Sequence, residues 1–171
     1  NVFLTGQPGS GKTYTINQFT EYLAEKGIYP AITASTGIAA THIGGVTIHS
    51  WSGVGIEENL TQMQLEDIAS KWWIEKKIKY CEVLIIDEVS MLPASVLDNV
   101  DQICRTVKGE FQLPFGGMQI ILVGDLFQLP PVTKGGGEVN FCYKPKVREE
   151  LNLQICVITE QHRQEDMQFL E

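Results

Sequence analysis

The sequence has no apolar run approaching the ~20 residues that a membrane-spanning helix needs, so no helical span is expected. Positive charge is scarce. Against 21 Asp and Glu stand only 13 Lys and Arg, a net charge of −8. Phosphate contacts need clustered Lys and Arg, so a compact basic module that grips nucleic acid by charge alone is excluded. The cysteines, Cys81, Cys104, Cys142 and Cys156, form no C-x-x-C pair, and most sit among apolar neighbours. Buried free thiols are expected, rather than zinc ligands or disulfides. The opening NVFLTG has neither a starting methionine nor the basic region of a secretion signal. It reads as a core strand met part-way, and the closing RQEDMQFLE reads as a helix, so a piece of a longer protein is expected. There is no internal repeat, and GGG at 135–137 reads as a loop tip.

What is present is one domain's worth of chain, 171 residues with 43% hydrophobic content, enough to bury a core. Short apolar runs recur: VFLT (2–5), YPAITAS (29–35), CEVLIID (81–87), QIILVG (119–124) and QICVIT (154–159). CEVLIID is apolar on both faces, the pattern of a parallel strand covered on both sides. Between the runs lie helical spacings. Ile16, Phe19 and Leu23 recur over 12–26, with Gly27 as a stop. Leu65, Ile68, Ala69 and Trp72 share a face over 64–79, where Trp72 and Trp73 are expected to pack. Pro93 opens a helix whose buried stripe is Val96, Leu97, Val100, Ile103, Cys104 and Val107. Strands alternating with helices predict an α/β doubly wound parallel sheet with helices on both faces, and ligands beyond the carboxyl ends of its strands.

Two motifs fall at such ends. GQPGSGKT, residues 6–13, matches G-x-x-x-x-G-K-[ST] between a strand and a helix. Gly6, Gln7, Pro8, Gly9, Ser10 and Gly11 form the loop, and Tyr14 follows it. Its glycines let backbone N–H groups curl round phosphates, and the helix N-terminus adds its dipole. Lys12 is suited to the β- and γ-phosphates, and Thr13 offers a hydroxyl to Mg²⁺. LIIDEVS, residues 84–90, ends a hydrophobic strand in a carboxylate pair. Asp87 is suited to hold Mg²⁺, and Glu88 to orient or deprotonate an attacking water. ATP and Mg²⁺ are the ligands implied. A helix-capping acidic pair is the plain alternative. A third stretch, GDLFQLPPV at 124–132, puts Asp125, Gln128 and two prolines after another strand. Asp125 is expected to hold that loop by local hydrogen bonds.

Taken in order, TGQPGSGKT, ITASTGIAATHIGGVTIHSW, LIIDEVSML, ILVGDLFQLPPV and ITEQHRQ resemble the first RecA-like P-loop NTPase domain of the Pif-one family of DNA helicases, in the RecD-like branch of superfamily one. The resemblance covers nearly the whole chain. It implies an ATP-driven motor that moves 5′ to 3′ on single-stranded DNA and unwinds duplexes, forks included. It implies a second RecA-like domain in the same chain, a monomer, and a protein of the prokaryotic cytoplasm or the eukaryotic nucleus or mitochondrion. Ser35, Thr36, Gly37, Gly45, Val46, Thr47 and His49 would lie on the strand-binding surface. Small side chains and open amides suit phosphates there, and a ring suits stacking or hydrogen bonding. On its own terms His49 also reads as a turn histidine, Trp51 as either a base-stacking ring or a core anchor, and His42 as structural. By the same resemblance Gln128 would sense the γ-phosphate and Arg163 would reach it, with Pro130 and Pro131 as a stiff connection. The adenine-reading glutamine of the family precedes the first strand and is not in this sequence. Val147 stands roughly where the family often has an aromatic. Rival readings are another P-loop enzyme such as a kinase, which would need an acceptor pocket, and a nucleotide switch that no longer hydrolyses.

Overall fold

The computed structural model describes residues 1–55, 60–125 and 146–159. Their strands are β1 (Val2–Gly6), β2 (Ala31–Ala34), β3 (Val46–Thr47), β4 (Val83–Asp87), β5 (Gln119–Val123) and β6 (Gln154–Ile158). They form one sheet in the order β3-β2-β4-β5-β1-β6, and every pairing is parallel. Helices fill the crossovers: α1 (Lys12–Glu25), α2 (Gly37–His42), α3 (Ile48–Ser52), α4 (Gln62–Ala69), α5 (Trp72–Lys79), α6 (Ala94–Lys108) and α7 (Lys146–Leu151). The α/β doubly wound reading therefore holds.

The strands' side chains alternate between two cores, as a period of two requires. Phe3, Leu84, Ile86, Ile120 and Leu122 join α3 to α7 on one face. Leu4, Val83, Ile85, Ile121 and Val123 meet Ile16 and Leu23 of α1 on the other. β4 lies at the centre, buried along its whole length. The apolar run that marked it as a doubly covered strand has that cause.

Several expectations need correction. The single helix expected over 64–79 is two. α4 ends at Ala69 with Ser70 as its cap, and Lys71, in extended conformation, precedes α5. The break rotates the second half, so Leu65, Ile68 and Ala69 are buried but Trp72 is 69% exposed. Trp73 is 47% exposed, and the two indoles meet edge to face at 5.9 Å instead of packing into the core. Pro93 stands one residue before α6 rather than in its first turn. The strand β3 went unforeseen, because two residues carry no periodicity. Cys81 and Cys104 are buried as expected, but Cys156 on the edge strand β6 is exposed. Gln128, Pro130, Pro131, Cys142, Arg163, the 135–137 loop tip and the helix expected in 163–171 lie outside the described residues.

A charged clasp fixes the half of the molecule away from the strands' carboxyl ends. Asp101 on α6 is 2% exposed. It accepts from Arg105 Nε at 2.8 Å and from the Phe115 backbone N–H at 2.6 Å. Arg105 also donates to Glu150 of α7 at 2.6 Å and to the Phe115-side loop at the carbonyl of Phe111, 2.9 Å. The Phe115 N–H is held although Phe115 sits at φ 52°, unusual for a residue with a side chain. Asp101→Ala removes the acceptor for two buried donors while leaving Arg105 its other partners. A loss of about 2–3 kcal/mol of stability is expected, read as a lowered midpoint in denaturant with unchanged slope.

Candidate functional site

Because every strand is parallel, every carboxyl end lies on one edge of the sheet, and the motif residues follow those ends. Along that edge, from one side to the other, come Thr47 at the end of β3 and His49 after it, Ser35 and Thr36 after β2, Asp87 and Glu88 at β4, Gly124 and Asp125 after β5, and the loop 6–13 at the end of β1. Neighbouring strands lie ~4.8 Å apart, so β1 stands about 14 Å from β2, three steps along the order, and about 19 Å from β3.

The loop after β1 has the conformation its glycines predict. Gly9 and Gly11 take φ 84° and 91°, and Gly11 opens α1 in the left-handed region. Gly6 is required for a different reason: a Cβ there would stand 2.6 Å from Ser10 Oγ and 2.8 Å from the carbonyl of Ile158. The Lys12 ammonium donates to the carbonyls of Gly6 at 2.7 Å and Gln7 at 3.1 Å, so its charge is anchored at the mouth of the loop. Thr13 and Tyr14 are exposed in the first turn of α1. The loop thus combines curled amides, a helix start and a fixed cation, the set that suits a phosphate chain.

Across from it, Asp87 is buried and accepts the Glu88 backbone N–H at 2.9 Å. Burial raises its pKa, while that hydrogen bond and the Lys12 charge pull it back down. Glu88 is half-buried. Burial, and then the Asp87 charge, raise its pKa; Lys12 opposes and Asp125 adds to the rise. The four groups therefore share one electrostatic neighbourhood. Asp125 is buried in it, at 6% exposure. Glu88 adopts φ 50°, ψ 41°, a left-handed conformation that costs a residue with a Cβ about 1–3 kcal/mol. That strained residue comes one position after Asp87, where the chain leaves β4. Among the described residues no three His, Cys, Asp or Glu side chains are arranged to hold a metal ion by themselves. Asp87 and Thr13 instead fit a hard cation held by one carboxylate, a hydroxyl and the phosphates of a ligand, the usual habit of Mg²⁺.

The candidate strand-facing residues divide by structural role. Thr36 caps α2, accepting from Ala39 N at 3.2 Å, and Thr47 caps α3, accepting from Ser50 N at 3.2 Å. Gly37 and Val46 are exposed. A Cβ on Gly37 would meet nothing. Gly45 is a glycine for packing, since a Cβ there would collide with the carbonyl of Ile32. His49 is partly buried, and burial lowers its pKa, which favours the neutral ring. Trp51 is buried and so is the core anchor of its two readings; His42 is exposed at the end of α2. The two regions are joined where Ser35 N donates to the carbonyl of Asp87 at 3.1 Å.

Some features of this edge were not read from the sequence. Among the described residues three buried hydroxyls, on Ser10, Ser35 and Ser90, have no hydrogen-bond partner, and all three follow carboxyl ends of strands. An unpaired buried hydroxyl costs about 1–3 kcal/mol, so such groups are rare without a reason. The exposed face of α5 was also missed. It carries Trp72, Trp73 and the lysines 76, 77 and 79, and Lys77 reaches the carbonyl of Ser50 in α3 at 3.4 Å. The helical spacing was visible, but the break at Ser70 that turns this face outward was not.

The family model described as PIF1-like helicase matches residues 1–167. This chain belongs to the PIF1-like helicase family. It is 46% identical to the ATP-dependent DNA helicase Pif1 of Psychrobacter sp. over 167 residues, which is 96% of this chain and 25% of that protein. It is 38% identical to ATP-dependent DNA helicase PIF1 of Xenopus laevis over 170 residues, 99% of this chain and 26% of that one. Among solved structures, the Pif1 helicase of Candida albicans superposes with a TM-score of 0.90 at 33% identity, covering 99% of this chain and 39% of that chain. A Bacteroides Pif1 helicase in complex with ADP–AlF3 and single-stranded DNA superposes at 0.78 and 35% identity, with 99% and 40% coverage. A structure concerned with unwinding at forked duplex DNA by two coordinating Pif1 helicases gives 0.77 and 35%, with 99% and 42% coverage. The PIF1-like chain described here thus spans about a quarter of the length of the curated relatives it matches. The RecA-like P-loop fold is the one these structures share with it.

The raised pKa of Glu88 has a measurable consequence. A carboxyl whose pKa is higher folded than unfolded holds its proton longer in the folded state. Ionising it therefore removes stability as pH rises through the window between the two values. Glu88→Gln abolishes that ionisation. The variant is expected to melt above the unsubstituted protein at neutral pH, and the gap is expected to close on acidification through the carboxylate range. Thermal scans across that range check both halves, and a gap that widens with acid contradicts the assignment.

Proposed function

We propose that the chain is the N-terminal RecA-like motor unit of an ATP-dependent DNA helicase that moves 5′ to 3′ on single-stranded DNA, with ATP and Mg²⁺ as its ligands. The observation that carries this is the shared edge. A phosphate cradle with anchored Lys12 faces the buried Asp87–Glu88 pair, and a segment of capped, amide-rich turns lies about 14–19 Å along the same sheet. Family membership supports the rest, as does the capture of a Bacteroides relative with both ADP–AlF3 and single-stranded DNA.

In this reading Gly6 to Tyr14 hold the nucleotide, and Thr13 and Asp87 hold Mg²⁺, which supplies charge neutralisation on the phosphates. Glu88 accepts a proton from the attacking water, a role that its place at the end of β4 and its raised pKa favour. Gln128 senses the γ-phosphate, and Arg163 stabilises charge on the transferred group. Ser35, Thr36, Gly37, Gly45, Val46, Thr47 and His49 meet the DNA strand; Gly45 does so by letting the turn sit close on β2. The Ser35–Asp87 hydrogen bond gives the two regions a direct mechanical connection. A second RecA-like domain elsewhere in the parent chain completes the site. The parent acts as a monomer inside the cell, on single strands and forks. Among the described residues, the edge positions beyond the phosphate cradle carry the carboxylate pair and capped turns, which favours the motor over a kinase.

Two experiments on the longer parent protein test this. ATP turnover is expected to rise on adding single-stranded DNA; Glu88→Gln should keep nucleotide binding and lose turnover by about 10²–10⁴-fold, the usual range for a catalytic proton acceptor. Turnover that ignores DNA, or a Glu88→Gln variant with near-normal turnover, contradicts the reading. Separately, His49→Ala is expected to weaken single-strand binding by about tenfold if the ring stacks on a base, with DNA-free turnover unchanged. Equal affinities across a salt titration would return His49 to a purely structural role.

A further inference from the structure

Of the three unpartnered buried hydroxyls among the described residues, Ser10 belongs to the phosphate cradle and Ser35 to the strand-facing segment. Ser90 belongs to neither. It is 4% exposed and lies two residues beyond Glu88. The turn that carries it is tight: Met91 N donates to Glu88 O at 3.1 Å and Leu92 N to Val89 O at 3.0 Å. Its main chain also touches the end of β5. A Cβ on Gly124 would stand 3.4 Å from Ser90 N and 3.3 Å from Val89 N, so a glycine lets the two segments close. The next residue, Asp125, is a buried carboxylate whose charge is felt at Glu88. Ser90 thus sits where the strained turn of Glu88 meets the segment leaving β5, and it carries a buried donor with nothing to donate to.

We propose that Ser90 is a positioning residue for hydrolysis: when a phosphate group enters the cradle, its hydroxyl donates across the β4–β5 junction to Asp125 and ties the turn bearing Glu88 to the end of β5. This rests on the helicase reading. The physical basis is differential stabilisation. A group that is unpaired in one state and paired in another favours the second, and a ligand that selects the second state gains by that difference. A carboxylate is a strong acceptor for a hydroxyl, and forming that bond would draw Asp125 and Ser90 together. The Ser35–Asp87 hydrogen bond joins the same strand end from the other side, so the arrangement would pass through β4 toward β2.

The test uses the longer parent with Ser90→Ala and the near-isosteric Ser90→Cys, a weak donor. Three quantities are read: melting of the nucleotide-free protein, the rise in melting temperature on adding ADP with aluminium fluoride and Mg²⁺, and kcat and KM for ATP with single-stranded DNA. Without nucleotide, Ser90→Ala should melt at or slightly above the unsubstituted protein, because it removes an unpaired buried hydroxyl. Its nucleotide-induced rise in melting temperature should shrink, and its kcat should fall about 2- to 10-fold, the worth of one hydrogen bond, with KM little changed. Ser90→Cys should lie between. A nucleotide-induced rise and a kcat both equal to the unsubstituted values would overturn the proposal. So would a nucleotide-free Ser90→Ala that melts well below with normal turnover per folded molecule, since the hydroxyl would then be a fold element. If the unsubstituted parent shows no DNA-stimulated turnover, the helicase reading fails by itself, and the melting shifts alone decide the role of Ser90.

Discussion

All of the functional geometry depends on one constraint, that the six described strands run parallel. Parallel neighbours cannot be joined by tight turns, so each connection must cross over and each strand must end on the same edge. Five of those ends carry the residues of interest. The central strand β4 pays for this placement with a buried Asp87, and it can do so because both of its faces are covered. The two cores on either side of the sheet hold the edge rigid, so the cradle and the strand-facing turns keep a fixed spacing.

The charges at the edge work against the fold. Asp87, Glu88 and Asp125 are brought together under partial or full burial, with Lys12 as the counter-charge, and Glu88 sits in a conformation normally left to glycine. Strain and like charges of this kind persist where surrounding structure over-determines them. The clasp of Asp101, Arg105 and Glu150 lies on α6 and α7, away from that edge, and satisfies its polar groups almost completely. Stability is concentrated in one region and reactivity in the other.

Much of this was legible in the sequence, for identifiable reasons. Strand β4 and the loop after β1 could be read because each has one dominant physical demand: continuous burial in the first case, and glycine-permitted curvature beside a lysine in the second. α1 and α6 could be read from their apolar spacing. The split between α4 and α5 could not, since apolar residues at helical spacing continue across Ser70 and Lys71 and hide the change in direction. Gly45 was legible as a special position, but its packing against Ile32 depends on a strand pair, β2–β3, too short to show a pattern. The strain at Glu88 and the unpaired hydroxyl of Ser90 belong to the folded turn after β4, and no local signal announces either.

The tryptophans follow from the same break in the helix. One indole, Trp51, is sealed in the core, whereas Trp72 and Trp73 stand in solvent on α5, edge to face at 5.9 Å. Water around those two rings shifts their emission toward longer wavelengths and opens them to collisional quenchers. The intrinsic fluorescence of the folded chain is therefore weighted toward the outer face of one short helix beside α3. A spectroscopist watching this signal would be observing that surface first and the core only second.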